Sequence, residues 1–294
     1  MRLCVRTAYP RQHFFLLCGT LVRCRITCAM DMIADFTTSL FGVAPWGLAI
    51  VCALVFLAGY VDAIAGGGGL VSLPAYLIAG MPTHAAIATN KLSSCMGTAV
   101  ATFHYAKSGF INLRLALPSI AFAFLGSFLG SNLLLLADDG FLRIFLLIVL
   151  PITAVYVMKS KSFDAAGLES FSAKKTMVLC MAIAFAVGIY DGFYGPGTGT
   201  FLMLLLTGVA HLRLDSAAGV TKSINLTTNA AALAVFLVNG QVLIALGLLA
   251  GVFNMLGNYL GSHSFTKNGG AVARPITITV LVVFFIKIVW DMVA

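Results

Sequence analysis

Four ionisable side chains stand inside otherwise apolar stretches of the sequence: Asp62 and Lys91 in the first half, Asp191 and Lys222 in the second. A charge at the centre of a membrane helix costs about 2.5–3.5 kcal/mol on insertion scales, so charges that persist there pair with one another or face a polar cavity. Two chemistries suit two lysines and two aspartates. They can be ion pairs that only hold the halves together, or they can form a site in which the lysines attract an anion while the aspartates gate it and hold or exchange a proton. Neighbouring glycines favour a site. Gly66-Gly67-Gly68-Gly69 follows Asp62, and Gly195-Pro196-Gly197-Thr198-Gly199 follows Asp191. Such breaks free main-chain N–H groups, and each precedes an apolar run that can restart as a helix, whose N-terminus favours anions.

Neutral polar residues extend the pattern. Asn90, Ser94 and Thr98 recur every fourth residue, as do Thr221, Asn225 and Asn229, so each set shares a helix face with its lysine. The substrate-binding residues expected from this reading are Lys91, Lys222, Asn90, Thr221, Asn225, Gly67, Gly68, Gly197 and Thr198. Asp62 and Asp191 are the expected gating or coupling groups, with the proton as the candidate coupling ion, and Thr200 is a further hydroxyl donor to an oxyanion. His84, His104 and His211 fall in loops or near helix ends, where interfacial or solvated roles are expected, and no pair has a metal-ligand spacing such as His-Glu-x-x-His. No cofactor is expected. No repeated nucleophile–base pair points to an enzyme.

These residues are positioned by a duplicated unit. Gly59, Asp62, the glycine break, Lys91, Gly109, Gly126 and Gly130 are matched in order by Gly188, Asp191, a second break, Lys222, Gly240, Gly257 and Gly261, with two residues inserted between the aspartate and the lysine. The chain is 60% hydrophobic and 10% charged, with a mean hydropathy of +1.01, which excludes an ordinary soluble domain. Apolar stretches long enough to cross a bilayer, which takes roughly 20 helical residues, lie at 45–65, 84–106, 112–136, 141–158, 176–194, 216–238, 242–263 and 272–293. Two shorter pieces, 70–80 and 199–208, are too short to span unless tilted or broken, and otherwise re-enter from one side. The expected architecture is an all-α, multi-pass membrane bundle of two repeats, about 45–158 and 176–293, within a transmembrane domain at 30–294.

The formal net charge of +8 does not point to nucleic acid, because Arg2, Arg6, Arg11, Arg23 and Arg25 all lie before residue 30. Residues 1–29 carry an apolar run too short to span and lack small residues where a signal peptide would be cleaved. An over-extended start or a disordered tail is expected there, and a chain begun at Met30 is expected to insert normally. The loop charges alternate between repeats. Lys107 and Arg114 flank one connection whose counterpart, 238–242, has no charge, whereas Asp138, Asp139 and Arg143 are replaced in the second repeat by Lys267 and Arg274. Because basic loops stay cytoplasmic, this pattern predicts inverted repeats with 107–114, 159–175 and 267–274 inside.

The segments Ala58–Pro74 and Ala88–Lys91, with Tyr190–Phe201, closely resemble the sulfite exporter TauE/SafE family of membrane permeases, and the resemblance covers roughly 45–293. It implies a multi-pass permease for small anions, often sulfur oxyanions or organosulfonates such as sulfite and sulfoacetate. The expected function is a secondary transporter in the inner cell membrane working by alternating access. A passive anion channel and an integral membrane enzyme are the alternatives.

Overall fold

A computed structural model describes residues 35–138, 140–141 and 171–268. The span expected at 141–158, apart from residue 141, the span expected at 272–293 and the expected tail at 1–29 lie outside the described residues. Within them every element is an α-helix. The principal eight are α1 (Pro45–Ala65), α2 (Gly69–Ile78), α3 (Thr83–Lys107), α4 (Leu113–Leu136), α5 (Ala173–Phe193), α6 (Thr198–Gly208), α7 (Leu214–Val238) and α8 (Ile244–Asn268). Their bounds follow the sequence signals closely. Pro45 opens α1, and the Asn112 and Ser172 side chains accept from the Arg114 and Lys175 N–H groups to cap α4 and α5. Gly66, at φ +73°, ends α1 in the left-handed conformation that glycine adopts without a Cβ penalty.

The contacts fix the direction of each helix between two ends of the bundle, the near end being where α1 begins. The glycine break folds α2 back along α1, so that Gly68 packs on Ala58 and Asp62 while Ala79 reaches Gly47. From there α3 runs beside α1 to the far end, where the Tyr105 hydroxyl donates to the main-chain oxygen of Ala63 at 2.7 Å. Next, α4 returns to place the Leu134 carbonyl 3.3 Å from the His84 ring. Gly126 and Gly130 of α4 meet the α5 main chain at Phe185 and Ile189, so α5 runs in the same direction as α4. In the same way Gly257 and Gly261 of α8 meet α1 at Phe56 and Tyr60. Thus α1, α3, α6 and α8 run from near end to far end, and α2, α4, α5 and α7 run the other way.

Two apolar clusters close the ends. Val51, Val55, Tyr76, Ile87, Leu134, Phe236 and Leu246 belong to the near cluster, and Ile64, Tyr105, Ile183, Leu202, Leu206, Val220 and Phe265 to the far one. The polar faces of α3 and α7 fall between them. Helices α1, α4, α5 and α8 are long and apolar enough to cross a membrane. Their neighbours α3 and α7 are equally long but carry the buried polar residues. The outward faces of α4 and α8 expose Leu117, Leu125, Phe128, Leu248, Val252 and Leu256, a surface suited to lipid rather than water.

The close helix pairs depend on glycine. A Cβ at Gly130 would overlap the Ile189 carbonyl oxygen, and one at Gly257 the Phe56 carbonyl oxygen, which is how small residues let membrane helices approach. Gly130→Leu and Gly257→Leu are each expected to reduce the yield of folded protein and to lower its melting temperature, since forced overpacking costs about 1–3 kcal/mol or more. Leu125→Met, on the exposed face, should leave both unchanged in the same melting assay.

Candidate functional site

The break after α1 and the break before α6 meet inside the bundle. Gly66 packs directly against Gly199 and Thr200, where any Cβ on Gly66 or Gly199 would enter the other strand of main chain. The Thr200 hydroxyl donates to the Ala65 carbonyl oxygen at 2.9 Å. That hydroxyl therefore ties one break to the other, and is not the free oxyanion donor expected from sequence. Gly197, at φ +83°, turns the chain into α6. Neither α2 nor α6 has a side-chain cap at its start; the Leu70, Val71 and Thr198 N–H groups turn back to main-chain oxygens of the breaks, and each N-terminus carries the partial positive charge of its helix dipole.

Around this crossing the four charges form two ion pairs, and both pairs run between the halves. Lys91 of α3 lies 3.0 Å from Asp191 Oδ1 at the end of α5, and Lys222 of α7 lies 2.7 Å from Asp62 Oδ2 at the end of α1. The pairs differ in their surroundings. Asp191 Oδ1 also accepts from the Thr198 hydroxyl at 2.7 Å, while its Oδ2 has no partner among the described residues. Lys222 donates a second time, to the main-chain oxygen of Asp62. The side chains of Lys91 and Asp191 are 3% and 5% exposed, whereas that of Asp62 is 17% exposed. The Asp191 pair is the more sealed of the two.

A cavity of about 30 Å³ opens between them, lined by Asp62, Asn90, Lys91, Asp191, Thr198 and Asn225 together with Ser94, Thr98, Asn229 and glycines of both breaks. It has room for roughly two waters. Of the residues expected from sequence, Lys222, Thr221, Gly67, Gly68 and Gly197 stand behind this lining. Lys222 and Thr221 are buried on α7. Gly67 faces the Thr200 hydroxyl, and Gly68 supports Asp62 by packing on it. Asn90 Oδ1 and Asn225 Oδ1 have no hydrogen-bond partner among the described residues. Buried amides and carboxylates left in this state need a ligand, a water or a proton to satisfy them.

Two buried asparagines were not foreseen. Asn254 and Asn258 of α8 bond each other and lie against Gly59 and Gly97. Their spacing of four residues was the available signal, but the only lysine, arginine or carboxylate on α8, Lys267, lies in its last turn and no glycine break interrupts the helix. Among the described residues no cluster of His, Cys, Asp or Glu suits a metal ion.

An apolar bundle with a paired-charge cavity at crossed helix breaks defines an integral membrane protein of the transporter class. The chain belongs to the sulfite exporter TauE/SafE family, whose family model matches residues 51–288. It is 34% identical to "Probable membrane transporter protein ORF9" of a Sinorhizobium species over 83% of this chain and 93% of that protein. It is 33% identical to a "Probable membrane transporter protein" of Haemophilus influenzae, over 83% and 95%. The Escherichia coli K12 protein YfcA, also described as a probable membrane transporter, is 32% identical over 86% and 93%. No solved structure matches the chain.

Breaking one buried pair by removing one partner costs about 3–5 kcal/mol, because the other charge stays buried alone. Lys91→Gln or Asp191→Asn alone should therefore lower the melting temperature of the ligand-free protein in detergent. The double variant should recover most of the loss. Single variants as stable as the parent would show that the pair is not formed in the membrane-extracted protein.

Proposed function

We propose that this chain is a multi-pass secondary transporter of the inner cell membrane that carries a small anion by alternating access between two inverted repeats. The substrate class we propose is a sulfur oxyanion or organosulfonate, such as sulfite or sulfoacetate. The observation that carries this reading is the cavity itself, where Lys91, two uncapped helix N-termini and the amides of Asn90 and Asn225 converge beside crossed glycine breaks. Positive charge, helix N-termini and rotatable donors together suit an oxyanion, and transporters of this architecture hold substrate between interrupted helices near mid-membrane.

In this reading Lys91 and Lys222 bind the anion, Asn90, Asn225 and Thr221 supply hydrogen bonds, and the Thr198 hydroxyl holds Asp191 in place. Gly67, Gly68 and Gly197 allow close main-chain approach, while Asp62 and Asp191 gate the lysines and couple transport to protons. Inversion of the repeats is supported by chain direction, since α1 and α5, and likewise α3 and α7, run oppositely between the two ends. The distribution of charge supports an orientation. Lys107, Lys175, Arg213 and Lys267 gather at the far end, where Lys175 covers Phe171 and Phe171 stacks on His211. The uncharged turn at 238–242 and Asp138 lie at the near end. The positive-inside rule then makes the far end cytoplasmic.

A cysteine at Asn239 should react with a membrane-impermeant reagent from outside in a background without native cysteines, and a cysteine at Lys107 should not. Labelling of both from one side would contradict the inverted arrangement. Substrate class is tested by melting purified protein with sulfite, sulfate, thiosulfate, sulfonates or carboxylates, since ligand at about 100 times Kd stabilises by about 2.7 kcal/mol. Sulfur oxyanions or sulfonates should raise the melting temperature most. The Lys91→Gln/Asp191→Asn double variant, folded but without the lysine, should lose that response, and an undiminished response there would remove Lys91 from the site.

A further inference from the structure

We infer that an anion enters this site only together with one proton, and that the proton is taken up by Asp191. The inference rests on the anion-transport reading above and adds its stoichiometry and the residue responsible. It starts from charge. Two lysines and two aspartates balance, and all four are held in the interior of an apolar bundle. A bound monoanion would leave that interior with an uncompensated negative charge, which burial makes costly. One proton restores the balance.

Geometry says where it goes. Lys91 has one charged partner, Asp191 Oδ1 at 3.0 Å, so the carboxylate already occupies the place at the ammonium that an incoming anion needs. The anion and Asp191 compete for Lys91. Lys222 is held differently, by the Asp62 carboxylate and by the Asp62 main-chain oxygen as well, and it stands behind the cavity lining. Losing a carboxylate would leave Lys222 partly satisfied and Lys91 with no partner among the described residues, so Lys91 is the ammonium that an anion can claim in this conformation.

Asp191 is also prepared to be neutral. Its Oδ2 accepts no hydrogen bond among the described residues, and the same cavity holds two more acceptors without donors, Asn90 Oδ1 and Asn225 Oδ1. A proton on Oδ2 gives this group of acceptors the donor it lacks. Oδ1 keeps the Thr198 hydroxyl, 2.7 Å away, when Lys91 turns to the anion. The other ionisable groups around it are Lys91 and Cys95 on α3, Asp62 on α1 with Lys222 of α7 bound to it, and Tyr190 and Tyr194 at the end of α5 itself. Helix α6 has no ionisable side chain, and α4 has only Arg114, in its first turn. Tyrosine and cysteine ordinarily titrate above neutral pH, so Asp62 is the one rival carboxylate.

The test uses methanesulfonate and ethanesulfonate, monoanions whose charge does not change between about pH 5 and about pH 9, with the full-length protein in weakly buffered detergent. Adding either anion to the parent protein should remove about one proton from solution per anion bound, read with a pH indicator. The dissociation constant should weaken by up to tenfold for each unit rise in pH, as linkage of one proton requires. Asp191→Asn imitates the protonated residue, and should bind with no proton uptake and no pH slope. Binding without proton uptake by the parent protein would overturn the inference and leave the transporter reading standing. Uptake that persists in Asp191→Asn would also overturn it, by assigning the proton to another group. If neither anion binds at any pH, the inference falls together with the anion reading on which it rests.

Discussion

Two ammonium groups and two carboxylates buried in an apolar bundle must neutralise one another, and here they do so across the molecule. Had each lysine paired with the aspartate of its own half, the halves would be independently neutral and free to separate. Instead Lys91 reaches Asp191 and Lys222 reaches Asp62, so neither half is electrostatically complete alone. Removing one partner leaves a lone buried charge worth several kcal/mol. That constraint brings the two helix breaks together, places Gly66 on Gly199, and leaves between the pairs a small polar cavity walled by amides and hydroxyls.

The helix packing serves the same end. Crossed pairs form only if α1 lies on α8 and α5 lies on α4, and both contacts are made by glycines that admit a carbonyl where a side chain would stand. The apolar clusters lie toward the two ends, on either side of the cavity. The two ion pairs are not equivalent in this state. One lysine is held by a single carboxylate oxygen and the other also by main chain.

Much of this was legible in the sequence, because membrane helices leave strong local signals. The apolar runs gave α1, α3, α4, α5, α7 and α8 to within five residues at each end, and the glycine breaks located α2 and α6. The rarity of charge in lipid singled out all four ionisable residues. The four-residue recurrence of Asn90, Ser94 and Thr98 marked the face that lines the cavity. What periodicity could not supply was partnership. Which lysine meets which aspartate depends on contacts between distant segments, and nothing in the spacing distinguishes a crossed pairing from a local one. Thr200 looked like a ligand donor, yet its hydroxyl has a nearer use on the Ala65 carbonyl. Asn254 and Asn258 passed unnoticed because their role, filling the space left by Gly59 and Gly97, exists only once α8 lies on α1 and α3.

If the carboxylate of Asp191 is a tethered stand-in for the transported anion, its charge must disappear when the anion arrives. Infrared difference spectroscopy of the protein in lipid observes this directly, because a protonated carboxyl has a C=O stretching band that a carboxylate lacks. Addition of methanesulfonate at neutral pH should produce that band in the parent protein and should fail to produce it in Asp191→Asn. Methanesulfonate binding with no new carboxyl band in the parent protein would contradict the account.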